Sequence, residues 1–411
     1  MSICDYEIFG GNRNAEELIK EYGSPLFVYD ESIIRQRCRE LKGLVNKKNF
    51  QVNYSCKANN NVALLKIIRE EGLMVDAMSP GEIFLEMAAG YSSDEILYIC
   101  NNVSKDEMLY AIEKNVKVSV DSLNQLSYFG QINPGGSVFV RMNPEIGDGH
   151  HDSVVTAGRT KFGIAIQDID KIHLIAKQYD LTIVGVNMHI GSLFLEPDNY
   201  LNAIIKLLEI AENFPKLKYV DFGGGIGIPY NKNNENRFSI DDFAKQLEKI
   251  LNEWEIKNNK FDVIFILEPG RYIVAESCKI LTTVHSIKNN YGTKYIGTDV
   301  GFNLLLRPEL YKPSAYHEIV VANAENRELE VVSVCGNICE SGDFLAKDRM
   351  LPKTELGDTL IILDCGAYGF SMSSNYNARL RPAEILIEQS GSIKVIREKE
   401  TFEYLLNNQI F

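Results

Sequence analysis

The chain has no run approaching about 18 apolar residues, which excludes a helical membrane span, and its N-terminus lacks a signal-peptide core. It also lacks a basic excess. Against 43 Lys and Arg stand 56 Asp and Glu, and the net charge of −13 argues against nucleic-acid binding. There is no disulfide framework: eight cysteines, at positions 4, 38, 56, 100, 278, 335, 339 and 365, are scattered through the sequence. Cys335 and Cys339 have no second cysteine or histidine pair nearby to complete a zinc site, so no metal is expected and a reducing, cytoplasmic setting is. Internal repeats, low-complexity segments and long linkers are absent too.

What is present is long enough for two domains, one of them large, with 45% apolar and 24% charged residues, as in ordinary globular proteins. From about residue 50 to 275, apolar runs alternate with helical patterns. The runs are Phe50–Cys56, Leu73–Met78, Ile96–Cys100, Val116–Val120, Ser137–Met142, Ile183–His189, Lys218–Phe222 and Val263–Leu267. Between them, Asn61–Glu71, Asn199–Asn213 and Ile240–Glu255 carry apolar residues at three- and four-residue spacing, and Trp254 reads as helix packing. Eight βα units predict a (β/α)8 barrel of the TIM type, with its chemistry at the C-terminal strand ends.

After residue 275 the pattern becomes β-runs without intervening helices: Lys279–Ile287, Glu318–Ala322, Leu329–Val334, Asp358–Leu363, Ala383–Glu388 and Ser392–Arg397. Pro25–Tyr29 reads as a strand joining this region from the far end of the chain. The expected division is a barrel over 30–274 and an all-β domain, barrel or sandwich, from 1–29 and 275–411.

The expected strand ends carry polar or glycine-rich segments. Lys57, in Tyr54-Ser-Cys-Lys-Ala-Asn59, reads either as an amine freed by burial to form a Schiff base or as a solvated lysine. Asp221-Phe-Gly-Gly-Gly-Ile-Gly227 places Gly223, Gly224 and Gly225 where backbone N–H groups can approach a phosphate, beyond the needs of a plain turn. Glu268-Pro-Gly-Arg271 offers an acid that can pair with a pyridine nitrogen and an arginine for a phosphate or carboxylate, or else a structural ion pair around Gly270. His189, before Ile-Gly-Ser192, is either a satisfied core histidine or a ring to stack on a planar cofactor. The polar excursion from Pro144 to Lys161, with His150 and His151, reads as a flexible lid rather than a metal site. In the β-domain, Cys335-Gly-Asn-Ile-Cys-Glu-Ser-Gly-Asp343 sets the Cys339 thiol beside the Glu340 carboxylate, suited to proton transfer and polar recognition rather than to core packing. Arg307-Pro-Glu-Leu-Tyr311, Gly366-Ala-Tyr-Gly-Phe-Ser371 and Asn375–Arg381 add arginines and tyrosines that fit a polar pocket.

Together these segments resemble the fold type III pyridoxal-phosphate-dependent decarboxylases, most closely the diaminopimelate decarboxylase family, over nearly the whole chain from Tyr54 to Pro382. The resemblance implies pyridoxal 5'-phosphate as cofactor, with Lys57 carrying it as a Schiff base, His189 stacked on its ring and Glu268 on its pyridine nitrogen. Ser192, Gly223–Gly225 and the segment Glu268–Arg271, with Gly270, would hold or border the phosphate. It implies substrate contacts at Arg271, Arg307, Tyr311 and Glu340, a Tyr368 that touches cofactor and substrate, and a Cys339 that delivers a proton after carbon dioxide leaves. It also implies a homodimer whose active sites use two chains. The implied reaction is decarboxylation of meso-2,6-diaminopimelate to L-lysine, the last step of lysine biosynthesis.

Two positions and one segment depart from the family pattern: Leu193 where glutamine is usual, Leu380 in Arg379-Leu-Arg381 where proline is usual, and the variant Asp299-Val-Gly-Phe-Asn303. They leave a D-ornithine or D-lysine decarboxylase as the alternative enzyme. A non-catalytic relative is the alternative of another class, although such a protein would be expected to lose Lys57 or the Cys339–Glu340 pair.

Overall fold

The computed structural model describes residues 8, 9 and 12–411; Cys4 lies outside them. The chain forms two compact units, one of Arg35–Pro229 and Asn236–Ile273, the other of residues up to Ile34, Tyr230–Glu235 and Val274–Phe411. The expected boundaries at 29/30 and 274/275 lie close to these. The segment Tyr230–Glu235, however, leaves the barrel and belongs to the β unit.

Strand β1 (Leu26–Asp30) precedes the barrel strands β2 (Phe50–Ser55), β3 (Met74–Ala77), β4 (Ile96–Ile99), β5 (Lys117–Val120), β6 (Ser137–Asn143), β7 (Thr182–Asn187), β8 (Tyr219–Asp221) and β9 (Ile264–Leu267). Each of β2 to β8 pairs in parallel with the next, and β9 pairs in parallel with β2, closing an eight-stranded barrel. Burial on both faces explains the unbroken apolar runs: all four residues of β4 are buried. Helices return the chain between strands. Asp198–Ala211 buries Leu201, Ile204, Leu207 and Leu208 at helical spacing, and Ile240–Asn258 buries Trp254, whose Nε1 donates to the Leu208 carbonyl at 3.0 Å.

In the β unit, β1 lies between β10 (Cys278–Asn290), antiparallel to it, and β16 (Ala383–Ile387), parallel to it. The strands β11 (Thr293–Thr298), β12 (Ile319–Val321), β13 (Leu329–Cys335), β14 (Phe344–Pro352), β15 (Thr359–Ile362) and β17 (Ile393–Arg397) complete the sheet. Leu26, Val28, Leu281, Ile361 and Ile385 form its core. Each such side chain contributes about 1.5–3 kcal/mol by burial.

The sequence reading missed β11, whose residues are largely polar and only partly buried, and β14, whose apolar ends flank an exposed Lys347-Asp348. It also excluded helices after residue 275, whereas Arg307–Leu310 forms one short turn, started by Pro308 in its first turn.

Candidate active site

The C-terminal ends of the barrel strands bring Lys57, His189, Ser192, the glycine run and the Glu268–Arg271 segment into one cluster. Strand β2 runs straight into a single tight turn, Cys56–Ala58, so Lys57 stands immediately past the strand end. Asn61 then caps the next helix by accepting from the Ala63 amide at 3.0 Å. The end of β9 folds against this turn: the Ser55 amide donates to Pro269 O at 3.2 Å. A Cβ on Gly270 would come within 2.9 Å of Ala58 Cβ, so a side chain here would push the two turns apart.

The glycine run is equally close-set. A Cβ on Gly223, whose φ is +69°, would lie 2.2 Å from Met188 O, and one on Gly224 would lie 2.0 Å from Glu268 O. The Gly224 N–H donates to Nδ1 of His189 at 3.2 Å, which places the proton of the neutral ring on Nε2. Desolvation first, then the charges of Lys57 and Arg141, hold this imidazole well below the ordinary histidine range. Arg271 Nη2 donates to Ser192 Oγ at 3.0 Å, joining the ends of β7 and β9 at one point.

Glu268 is buried beside Asp221, and its Oε1 makes no hydrogen bond of ordinary geometry. Burial, then the neighbouring Asp221, raises Glu268 well above the carboxylate range, and burial also raises Asp221. Asp76, which accepts from Ser55 Oγ at 3.1 Å, is likewise raised by burial and by Glu268, and the charge of Lys57 opposes the shift. Arg141 is buried with Nη1 3.9 Å from Asp121, its guanidinium 4.6 Å from the Phe162 ring centroid. Neither Asp76, Asp221 nor Arg141 was singled out from the sequence. Asp221 heads the glycine run and could have been.

These residues fit pyridoxal phosphate. The lysine amine suits its aldehyde carbon, the buried acid with an orphaned oxygen suits a protonated ring nitrogen, and Ser192, Arg271 and the glycine run form a cradle that a Cβ would fill.

The excursion 144–161 is bound to this cluster, contrary to a free lid. Asp148–Gly149 pairs in parallel with Gly191–Ser192, His150 Nδ1 lies 3.2 Å from Ser192 O, and Thr156 Oγ1 donates to His189 O at 2.8 Å. Backbone groups at the end of β7 need partners there, and this segment supplies them. Among the described residues no group of three or more metal-type ligands forms.

The remaining expected residues, Arg307, Tyr311, Cys339, Glu340 and Tyr368, belong to the β unit. Arg307 is wholly buried. Its Nη1 donates to His317 Nε2 at 2.7 Å and its guanidinium lies 4.0 Å from the Tyr230 ring centroid. Tyr311 follows on the same turn, its amide bonded to Arg307 O at 3.0 Å. Cys339 and Glu340 are exposed at the tip of a turn. Tyr368 sits in the left-handed region at φ +57°, rare for an aromatic residue and a strained conformation of the kind found at functional sites. His317 and Tyr230 escaped the sequence reading because nothing local marks a residue that serves one so distant. Asp299 and Asn303, the two ends of the variant segment, line one cavity of about 390 Å³ together with Arg379 and Leu380, while Leu193 takes a left-handed φ of +67° beside Ser192.

Comparison with known proteins agrees with this chemistry. Residues 31–275 match the family described as pyridoxal-dependent decarboxylase, pyridoxal binding domain. The diaminopimelate decarboxylase of Methanothermobacter thermautotrophicus is 42% identical, covering 97% of this chain and 94% of that protein. The one from Archaeoglobus fulgidus is 37% identical over 96% and 94%. The crystal structure of the Methanocaldococcus jannaschii diaminopimelate decarboxylase with L-lysine superposes with a TM-score of 0.89 at 31% identity, covering 100% of this chain and 97% of that one.

Proposed function

The chain belongs to the diaminopimelate decarboxylase family of pyridoxal-dependent decarboxylases, and from that premise we propose that it decarboxylates meso-2,6-diaminopimelate to L-lysine. The observation that carries the reading is the strand-end cluster, in which an amine at Lys57, a buried acid at Glu268 and a desolvated imidazole at His189 share one barrel end.

Bound pyridoxal phosphate supplies an electron-accepting ring conjugated to the substrate's α-carbon. Lys57 would hold the cofactor through its amine, at the point where the substrate's amine has to arrive. Glu268 would pair with the ring nitrogen and favour its protonated form, and the orphaned Oε1 of this buried acid fits that task. His189, whose Nδ1 accepts from the Gly224 amide in the neutral ring, would stack on the cofactor without adding a charge that opposes a protonated nitrogen. Ser192, Arg271 and Gly223–Gly225 would bind the phosphate, and Gly270 lets the two turns close. Cys339 returns a proton to the α-carbon once carbon dioxide has left. Glu340 reads the substrate's ammonium, while Arg271, Arg307, Tyr311 and Tyr368 position its other groups. The exposure of Cys339 and Glu340 supports a homodimer in which a second copy covers that turn, and the family's biosynthetic role supports a cytoplasmic enzyme.

The test is carbon dioxide release from the purified, cofactor-loaded enzyme given meso-diaminopimelate, D-lysine, D-ornithine and L-lysine side by side. The expected result is turnover of meso-diaminopimelate above the others. Preference for a D-monocarboxylate would replace this reading with that of a D-lysine or D-ornithine decarboxylase.

A further inference from the structure

The Cys339–Glu340 turn is held by a second segment, 374–381, that no role above uses. The turn wraps around a buried carboxylate: Asp343 accepts from the Phe302 amide at 2.7 Å and from the Ile338 amide at 2.8 Å, and the Asp343 amide returns to Glu340 O at 3.1 Å. This fixes the base of the turn and leaves its tip to be placed by something else. Asn377 and Tyr376 do so. The Cys339 N–H donates to Asn377 Oδ1 at 3.0 Å, and the Tyr376 hydroxyl donates to Glu340 Oε1 at 2.5 Å.

The holding segment is itself fixed. The Tyr376 ring stacks on Phe302 at 5.8 Å, and the Ser374 amide donates to Asn303 O at 2.8 Å. At the far end Glu400 binds Asn375 Nδ2 at 2.6 Å and Arg381 Nε at 2.6 Å. Between these anchors Asn377 and Ala378 both take left-handed backbone, at φ +57° and +55°. Asparagine tolerates this conformation and alanine adopts it at a cost. That strain persists because the anchors impose it, and its local result is to aim the Asn377 amide at Cys339.

We propose that Asn377 and Tyr376 are positioning residues for the decarboxylation, Asn377 setting where the Cys339 thiol delivers its proton and Tyr376 setting where Glu340 meets the substrate's ammonium. The Glu340 carboxylate keeps its second oxygen for the substrate while the first is pinned. The two functions therefore separate in kinetics: Asn377 acts on the proton-transfer step and Tyr376 on binding. The proposal rests on the assignment of Cys339 and Glu340 made above.

The experiment compares Cys339→Ala, Asn377→Gly, Asn377→Asp and Tyr376→Phe in cofactor-loaded enzyme, measuring kcat and KM for meso-diaminopimelate and the cofactor's absorbance. Glycine keeps the left-handed backbone and removes only the amide, and aspartate keeps the acceptor. Asn377→Gly is expected to lower kcat about tenfold, within the roughly 10²-fold that a 1 Å misplacement costs, with KM within about twofold; Asn377→Asp recovers most of the loss. Tyr376→Phe is expected to raise KM about fivefold, the worth of one ordinary hydrogen bond, with kcat within about twofold. If Cys339→Ala is impaired while Asn377→Gly and Tyr376→Phe both behave as wild type, the positioning roles are overturned. The same holds if kcat and KM shift together in both variants, or if Asn377→Asp is no better than Asn377→Gly. Normal turnover by Cys339→Ala would instead overturn the proton-donor assignment on which the proposal rests.

Discussion

Arg307 donates through Nη1 to Nε2 of His317 at 2.7 Å, and the other ring nitrogen, Nδ1, lies 2.8 Å from Leu363 O. An arginine cannot accept, so Nε2 must; the proton is therefore on Nδ1 and is donated to Leu363 O. The buried histidine is the neutral tautomer and carries the position of a buried cation. Replacing His317 with leucine removes that acceptor from a desolvated guanidinium and is expected to cost about 3 kcal/mol, read as a lowered urea midpoint. His317→Gln, whose amide oxygen can accept, is expected to recover part of it.

In the proposed mechanism Glu268→Gln replaces the acid that would pair with the ring nitrogen by an amide of the same shape. Turnover is expected to fall by about 10²–10³-fold, comparable to losing one preorganised electrostatic group, with the protein still folded and still binding cofactor. Steady-state carbon dioxide release with an absorbance spectrum of the bound cofactor checks both halves.

Gly224→Ala brings a Cβ to 2.0 Å from Glu268 O and 2.9 Å from Glu268 C, both backbone atoms that cannot rotate away. The β9 end must shift, and with it the phosphate cradle. Cofactor affinity is expected to weaken by at least about tenfold, the equivalent of roughly 1.4 kcal/mol, measured by equilibrium titration with pyridoxal phosphate.

The buried Glu86 supplies a pH test of stability. Burial first, then Asp76 and Glu82, pushes its carboxyl from 4.5 up to about 9. The folded state thus keeps a proton that the unfolded state releases above about pH 4.5. The resulting stability is full below that pH and is lost progressively as pH rises toward 9. Glu86→Gln carries no such proton. Relative to it, wild-type stability is expected to fall by about 1.4 kcal/mol per pH unit between about pH 5 and 8, measured by urea denaturation.

The barrel was legible because its strands are buried on both sides, as in Ile96–Ile99, where every residue faces either the interior or a helix. The β unit was less so. Phe344–Pro352 reads Phe-Leu-Ala-Lys-Asp-Arg-Met-Leu-Pro with an exposed middle, and its pairing with β13 shifts register, so no simple alternation survives. At the site, Lys57, His189 and Glu268 were visible because strand ends are local features. Asn377 was inside a quoted motif, yet its acceptor role depends on meeting Cys339 in space. The fixing of segment 144–161 by the end of β7 likewise has no signature in its glycine-rich sequence.

The place of β1 has a consequence for how the chain is made. In the finished sheet Leu26, Phe27, Val28 and Tyr29 are buried between β10 and β16, both of which are synthesised after the whole barrel. During translation the barrel strands can meet their neighbours in order of synthesis, while this apolar strand waits with both edges open until Cys278–Asn290 emerges. A newly made chain therefore carries this apolar segment unpaired until Cys278–Asn290 is made, the kind of exposure that chaperones recognise. A chain refolded from denaturant, with every strand available at once, meets no such wait.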